Sequence, residues 1–399
     1  MGLALGLVGC GGMGRRHVRG MKKLKAAGRL TFDLAAACDV LPDSARGLAD
    51  EAEELLGRRP QPFTDFEAMA RSTRLDGWII TTTPETHAGI ALAAFAAGID
   101  VMVEKPIALE VAQGRRLVEA ARATGRKLAV AENYRRDPIN RLGKALVDGG
   151  AVGRPFLATQ ASSSSGEVVI ITPWRHRKDR GGIVIDMGVH YADILEYYLG
   201  PIDTVYGMNA IVDAQRVDQQ GALHPADAED LSVGVMRFRS GAIANWLLSM
   251  AGRGEPSFSR VIYGTAGSLS IPADRSGKPL SLYQRRAGLD AAVPQDELLG
   301  LAPDFALDEI TAVLFRGERL ASYELPWTEI DANLLGIEQA DFVDAIERDR
   351  EPEVTGEQGL RSLALVLGLL DSEQLGRAVE LDDLLGGRGP AGQSDSQRR

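Results

Sequence analysis

The chain has 399 residues, 45% of them hydrophobic and 25% charged, which is typical of a globular protein long enough for two domains. Its formal net charge of −10 and the lack of a long basic stretch argue against a nucleic-acid partner. No apolar run approaches a membrane span, and a strand occupies the first residues, so we expect neither a membrane segment nor a signal peptide. Cys10 and Cys38 lie in or beside predicted core strands, so we expect buried thiols, no disulfide and a cytoplasmic location.

Strand and helix signals alternate through the first third of the chain. Apolar runs predict the strands, and alanine-rich or amphipathic runs predict the helices between them. The predicted order is strand 3–8, helix 13–24, strand 32–38, helix 44–56, strand 77–80, helix 84–97, strand 99–103, helix 111–124 and strand 127–131. Such alternation favours a parallel sheet, so we predict an α/β fold with a first domain over residues 1–137.

Strand-like segments dominate after Pro138, once one further helix has passed. The predicted strands are 155–160, 204–212, 231–238, 242–249 and 260–263, with a hairpin turn at Ser240-Gly241. Helices are predicted over 336–348 and 357–375, and 287–325 is left unassigned. We therefore predict a second α/β domain over 138–385, with a large, mostly antiparallel open sheet. The polar tail 386–399 is predicted to be disordered.

A glycine-rich segment follows the first strand and matches the pattern G-x-G-x-x-G, as Gly9-Cys10-Gly11-Gly12-Met13-Gly14. In this context, between a strand and a helix, the pattern predicts a pyrophosphate site at the helix N-terminus. Asp39 ends the second strand, where an acid can hydrogen-bond a ribose diol, although a plain turn residue is the alternative. No basic residue directly follows Asp39, which favours NAD over NADP.

The tripeptide Glu104-Lys105-Pro106 stands where the strand 99–103 stops. Proline cannot continue a strand ladder and keeps the preceding residue away from helical dihedrals. Lys105 is thereby placed at the carboxyl end of a strand, where open α/β sheets bind ligands. A lysine near a bound nicotinamide suggests redox chemistry; the alternative is a surface lysine.

A second cluster of polar residues lies within 181–193. If a helix begins near Asp186, then His190 lies one turn further on the same face. A carboxylate beside an imidazole suits a proton acceptor for a substrate hydroxyl. The alternative has Asp186 as a helix N-cap and His190 as a partly buried helix residue. The five histidines show no metal-ligand spacing, so we expect no metal.

Together these motifs resemble the Gfo/Idh/MocA family of sugar and cyclitol oxidoreductases over about residues 3 to 380. The matching segments are the glycine loop with Arg15-Arg16-His17, Thr83 to His87, Glu104-Lys105-Pro106, Glu132 to Pro138, Trp174-Arg175, Gly181 to Asp193, and Glu351-Pro352 with Gly356 and Gly359-Leu360. The family often has three glycines before the aspartate, and Ile183 replaces the third here, adding bulk near the substrate side.

The resemblance implies a catalytic set of Lys105, Asp186 and His190 around a hydroxyl of a small-molecule sugar, glycoside or cyclitol. Either Lys105 or His190 would accept the proton. It implies that residues 1–137 form an N-terminal dinucleotide-binding (Rossmann) domain. It also implies a homodimer or homotetramer formed through the C-terminal sheet, and a bond between Lys105 and Pro106 that is often cis. The cofactor-side positions that it implies, beside the glycine loop, Asp39 and Lys105, are Thr82, Pro84, His87, Glu104 and Asn133. For Trp174 and Arg175 it implies contact with either the cofactor or the substrate.

Several alternatives stay open at this point. Trp174 can be a packing residue, and Arg136 is favoured as part of a solvated charge pair with Arg135. The leading function is an NAD-dependent dehydrogenase. The alternatives are an enzyme that oxidises its sugar transiently while holding NAD tightly, and a non-catalytic NAD-binding regulator.

Overall fold

The computed structural model describes residues 2–286 and 288–387, so most of the predicted tail, 386–399, lies outside the described residues. The chain forms two compact units. The first comprises the chain up to Arg136 together with Leu307–Glu318 and Leu325–Leu360, and the second comprises Asp137–Ala306, Arg319–Glu324 and the chain from Arg361 onward. The sequence-based boundaries treat each domain as one continuous segment, whereas the first unit also contains two segments from later in the chain.

The first unit is a six-stranded parallel sheet with helices between its strands. Its elements are β1 (Ala4–Val8), α1 (Gly12–Ala26), β2 (Asp33–Cys38), α2 (Pro42–Leu56), β3 (Gln61–Phe63), α3 (Phe66–Ser72), β4 (Gly77–Ile80), α4 (Pro84–Ala96), β5 (Asp100–Glu104), α5 (Val111–Thr124) and β6 (Leu128–Ala131). The strand order is β3-β2-β1-β4-β5-β6, and every neighbouring pair is parallel. The predicted Rossmann fold is confirmed.

The second unit contains a nine-stranded mixed sheet. Its first elements are α6 (Pro138–Asp148), β7 (Pro155–Ser165), α7 (Gly182–Leu199), β8 (Ile202–Ala210), β9 (Gln215–Val217), β10 (Leu223–Pro225), β11 (Leu231–Phe238), β12 (Ile243–Gly252), β13 (Ser257–Gly264), β14 (Gly267–Ile271), β15 (Ser281–Arg286) and β16 (Leu289–Ala292). The remaining elements of the chain are α8 (Glu309–Phe315), α9 (Trp327–Glu347), α10 (Gly356–Leu375), β17 (Val379–Glu380) and α11 (Leu381–Leu385).

The large sheet runs in the order β16-β15-β14-β13-β7-β12-β11-β8-β17. All of its neighbouring pairs are antiparallel except β7 with β12. The predicted turn at Ser240-Gly241 joins β11 to β12, and Gly241 takes the left-handed φ of 88° that such a turn favours. A mostly antiparallel second sheet is therefore confirmed. Among the described residues, no helix is both long and apolar enough to cross a bilayer.

Helix α9 explains why the late part of the chain returns to the first unit. It begins at Trp327, nine residues before the predicted start, because Pro326 precedes the helix and Gly336 continues it rather than breaking it. Gly20 of α1 and Gly336 let the two helices approach closely: a Cβ on Gly20 would lie 2.9 Å from the Gly336 nitrogen. Buried Leu334 and Leu335 flank this contact, so the apolar face of α9 is covered inside the first unit.

Candidate active site

Glycines 9 and 14 of the glycine loop are required by the fold itself. Gly9 has a φ of 105°, and a Cβ there would lie 2.7 Å from the nitrogen of Thr82. A Cβ on Gly14 would overlap the carbonyl oxygen of Gly9, so only glycine lets α1 start so close to β1. These two positions set the shape of the turn.

Glycines 11 and 12 are different. A Cβ at either position would meet no heavy atom of the described residues within 4 Å, so the protein's own packing does not demand glycine there. Gly11 caps α1 without a side-chain hydrogen bond, and the first turn contains no acidic residue. The backbone N–H groups and positive end of this 15-residue helix suit a pyrophosphate, and the absent side chains let it approach. Half-buried Met13 lies in the same turn.

Asp39 is tied to the glycine loop. Its Oδ2 accepts a hydrogen bond from the backbone nitrogen of Cys10 at 2.8 Å, and its Oδ1 accepts one from the nitrogen of Leu41 at 2.9 Å. The carboxylate is half-buried at the carboxyl end of β2, beside the turn. Cys10 and Cys38 are both buried and free, as expected.

The end of β4 supports the same turn through a residue that the sequence analysis overlooked. The Thr81 hydroxyl donates to the Gly9 carbonyl oxygen at 2.6 Å. Thr82 follows it, and its hydroxyl oxygen accepts from the Thr86 hydroxyl at 2.7 Å. Buried Pro84 is the first residue of α4. The signal for Thr81 was its place directly after an apolar strand, next to the predicted Thr82.

Lys105 directly follows β5 and is held by its neighbours. The Lys105–Pro106 peptide bond is cis, as the family resemblance implied. The backbone nitrogen of Lys105 donates to Glu104 Oε2 at 3.2 Å, and the Pro106 carbonyl oxygen accepts from His87 Nδ1 at 2.8 Å. Lys105 is only half-buried, whereas both flanking residues are buried. Because β1 and β5 belong to one parallel sheet, Lys105 lies at the same edge as the glycine loop.

His87 and Glu104 have buried side chains engaged with the protein. Burial lowers the pKa of His87, and the hydrogen bond from its Nδ1 fixes the Pro106 carbonyl. Burial raises the pKa of Glu104, but the hydrogen bond from His17 and the charges of His17, Lys105 and Arg16 outweigh it and lower the pKa overall. These two side chains bond the backbone of Lys105 and Pro106 and so hold Lys105 in position.

Asn133 lies two residues beyond β6 and is buried. Its Oδ1 has no hydrogen-bond partner within residues 2–286 and 288–387. A buried amide oxygen without a partner is costly, so this atom suits a polar ligand group. Arg136, expected in a solvated pair, is instead buried and binds Asp341 at 3.0 Å and Glu353 at 2.9 Å. The expectation for Arg136 was wrong because its acidic partners lie far along the chain.

In the second unit, Asp186 and His190 lie one turn apart on α7, and both are buried. The helix begins at Gly182, four residues before the assumed start. The left-handed φ values of Gly181 and Gly182, 100° and 79°, form the turn that allows it. Asp186 is therefore an interior helix residue rather than an N-cap. Ile183 is fully buried within the first turn of α7, not in a preceding loop.

The Arg175 guanidinium forms an ion pair with Asp186 Oδ2 and lies 5.0 Å from the centre of the Trp174 ring. His176 anchors this segment: its Nε2 accepts from the Ile170 nitrogen at 2.9 Å. Burial, reinforced by the charge of Arg216, lowers the pKa of His176 to about 4, so the ring is a neutral acceptor. The second unit thus brings Trp174, Arg175 and Asp186 together.

Two family profiles match this chain. Residues 3–132 match the oxidoreductase family with an NAD-binding Rossmann fold, and residues 141–270 match the Gfo/Idh/MocA C-terminal domain. The chain belongs to the Gfo/Idh/MocA family. This confirms the resemblance and the expected cofactor. The glycine loop with its open side at Gly11 and Gly12, Asp39, and the unpartnered Asn133 Oδ1 fit an NAD molecule.

Characterised relatives of this Gfo/Idh/MocA protein are similar along nearly its whole length. A D-apiose dehydrogenase from Paraburkholderia graminis is 28% identical, covering 95% of this chain and 89% of that protein. A myo-inositol 2-dehydrogenase from Thermotoga maritima is 23% identical, covering 96% and 100%. A levoglucosan dehydrogenase structure with NADH and levoglucosan has a TM-score of 0.77 at 21% identity, covering 96% and 100%, which shows the shared fold.

Proposed function

We propose that the protein is an NAD-dependent dehydrogenase acting on a secondary hydroxyl of a sugar, glycoside or cyclitol. The observation that carries this proposal is the position of Lys105, at the same edge of the parallel sheet as the glycine loop. Membership of an oxidoreductase family supports the reaction class. The names of its relatives, which act on apiose, inositol or levoglucosan, support the substrate class.

The residues that would hold NAD are the glycine loop with the start of α1, Asp39 and Asn133. When bound, NAD supplies the hydride acceptor. The Asp39 carboxylate is suited to accept hydrogen bonds from ribose hydroxyls, and its charge would repel a phosphate at the same position. A preference for NAD over NADP therefore follows, and initial rates with the two cofactors test it.

Lys105, Asp186 and His190 would serve the substrate hydroxyl. The Lys105 ammonium donates a hydrogen bond that stabilises negative charge on the reacting oxygen. The proton from that hydroxyl would pass either to a ring nitrogen of His190 or to the Lys105 side chain. Asp186, which pairs with Arg175, would orient the imidazole or the substrate.

The substitution Lys105→Ala tests the catalytic assignment. We expect kcat to fall by about 10²–10⁴-fold, with the NAD dissociation constant little changed, because the lysine acts on the reacting oxygen. NADH formation across a panel of sugars, glycosides and inositols, with NAD and NADP in parallel, is the measurement. Undiminished activity in the variant would refute the role of Lys105. Turnover of a glycoside without added NAD and without net NADH would instead support the transient-oxidation alternative.

We further propose that the open face of the large sheet joins copies of the chain. In β11 the small or buried residues Ser232 and Met236 face the covered side, while Val233 and Val235 face outward and are exposed. Other strands of the same sheet, β8, β12 and β13, add the exposed apolar residues Met208, Ile243 and Tyr263. An apolar patch of this kind favours association.

Light scattering after size-exclusion chromatography tests this interface. We expect Val235→Lys to convert a dimer or tetramer to a smaller species, because the lysine charge would have to be buried. Val313→Lys, at a similarly exposed valine on α8, is the matched control and should leave the assembly unchanged. A monomeric unsubstituted protein would rule the interface out.

A further inference from the structure

Three buried side chains with metal-ligand chemistry meet inside the first unit: His17 of α1, Glu104 at the end of β5 and Glu338 of α9. One ligand atom from each, an imidazole nitrogen or a carboxylate oxygen, lies within 4.8 Å of the other two. We propose that these residues bind one divalent transition-metal ion, with the chemistry of Zn²⁺. The proposal is independent of the dehydrogenase assignment, because metal content is measured without turnover.

Glu338 is the strongest argument for a ligand. Its side chain is buried, with 1% of its surface exposed. Neither of its carboxylate oxygens has a hydrogen-bond partner among the residues that the structure describes. The Arg136 guanidinium, which acts on Glu338 electrostatically, is already bonded to Asp341 and Glu353. A carboxylate buried without a partner is strongly unfavourable, and a bound cation would remove that cost.

The charge and the donor atoms both suit a divalent ion. Two carboxylates and one neutral imidazole carry two negative charges, which a divalent cation balances. Glu338 can offer both oxygens, and His17 Nε2 and Glu104 Oε1 add two more donors, giving the four that Zn²⁺ prefers. An imidazole with carboxylates selects the transition metals over Mg²⁺ and Ca²⁺, which favour oxygen ligands alone.

Gln339 is placed to orient His17 for this role. Its side-chain nitrogen lies 2.9 Å from His17 Nδ1, while its Oε1 has no partner among the described residues. A half-turn of the Gln339 amide would let Oε1 accept from an Nδ1–H, and it would give up the hydrogen bond that the Gln339 nitrogen donates to the His17 carbonyl oxygen at 3.0 Å. The single ring proton would then lie on Nδ1, so His17 Nε2, now 3.0 Å from Glu104, could bind the ion while the imidazole stays neutral.

Metal content of the full-length protein, purified without a metal-affinity tag or chelator, tests the proposal. We expect about one transition-metal ion per chain by mass spectrometry after dialysis. Because the site is buried, a second sample is unfolded in guanidinium chloride with EDTA and refolded with or without Zn²⁺. The refolded Zn²⁺ sample should retain the ion and unfold at a higher temperature than its metal-free counterpart.

Glu338→Gln keeps the side-chain size but removes the charge, and we expect its retained metal to fall at least about 10-fold. Glu347→Gln, at an exposed position of the same helix, is the control and should retain the full amount. Should Glu338→Gln not fold, Gln339→Leu replaces it and should weaken Zn²⁺ binding by about 10–100-fold. The proposal is overturned if neither the purified nor the refolded protein retains metal. It is also overturned if the Glu338→Gln variant, or Gln339→Leu in its place, retains as much metal as the Glu347→Gln control.

Discussion

The glycine-loop edge of the first unit and the α7 region of the second unit hold their functional groups in different ways. The first is built mainly from backbone: Gly9 and Gly14 permit the turn, and the Thr81 hydroxyl holds a carbonyl oxygen. The second is built from charged side chains: Arg175 pairs with Asp186, and buried Arg216 binds Asp230 at 2.6 Å. The first region should therefore be most sensitive to added volume, and the second to removed charge.

Between these two regions, the larger effect is expected from adding one methyl group to the glycine loop. Gly14→Ala would force the Gly9 carbonyl aside, so we expect a loss of about 2–3 kcal/mol in unfolding free energy and about 100-fold weaker NAD binding. The methyl group added by Gly12→Ala would point into open space, where we expect NAD to bind. This substitution should therefore weaken NAD binding while leaving the melting temperature unchanged. Fluorescence titration with NAD and thermal unfolding separate the two. Equal melting temperatures for both variants would contradict the distinction.

Removing one charge from the second region should have a smaller, different effect. Arg175→Met removes the ion pair with Asp186, so we expect kcat/KM to fall by about 10-fold, equivalent to about 1.4 kcal/mol. NAD affinity should not change, because the glycine loop is untouched. Arg175→Lys keeps the charge and should recover part of the loss. A change in NAD affinity with unaltered kcat/KM would instead place Arg175 on the cofactor side.

The difference between these two regions also explains which features of the fold and the site could be predicted from the sequence. The glycine loop, Asp39 and Lys105 each follow a strand within a few residues, so local pattern was enough to place them at one sheet edge. Most strands of both sheets were found for the same reason, since alternation and apolar runs are local signals. The sequence did not predict β3 of the first sheet or β14, β15, β16 and β17 of the second. The start of α7 was missed by four residues because two glycines with left-handed φ look like a break in sequence.

Long-range pairs could not be predicted in this way. Arg136 was expected at the surface because its partners, Asp341 and Glu353, lie more than half the chain away. The same holds for His17 and Glu338, whose spacing matches no metal-binding motif although the fold brings them together. Helix α9 carries Glu338 and Asp341 back to the first unit, and nothing local in its sequence indicates which domain it joins.

The smallest effect should be seen in the pH dependence of stability, where two buried groups of the second unit oppose each other. Burial raises the pKa of Asp137 from 3.8 to about 6, although its oxygens accept hydrogen bonds from Tyr323 and the Ile139 nitrogen. Between these values the unfolded chain has lost a proton that the folded protein keeps, so stability falls as pH rises. For His176, whose pKa drops from 6.5 to about 4, only the unfolded chain is protonated in that window, so stability rises with pH.

The two slopes should largely cancel in the unsubstituted protein, because each is at most about 1.4 kcal/mol per pH unit and they have opposite signs. Removing one group should expose the other. In His176→Gln the urea midpoint should fall as pH rises from 4 to 6, and in Asp137→Asn it should rise over the same range. The comparison needs only the slopes, so a constant loss of stability in either variant does not affect it. Parallel profiles for the two variants would show that these groups do not set the pH dependence of the second unit.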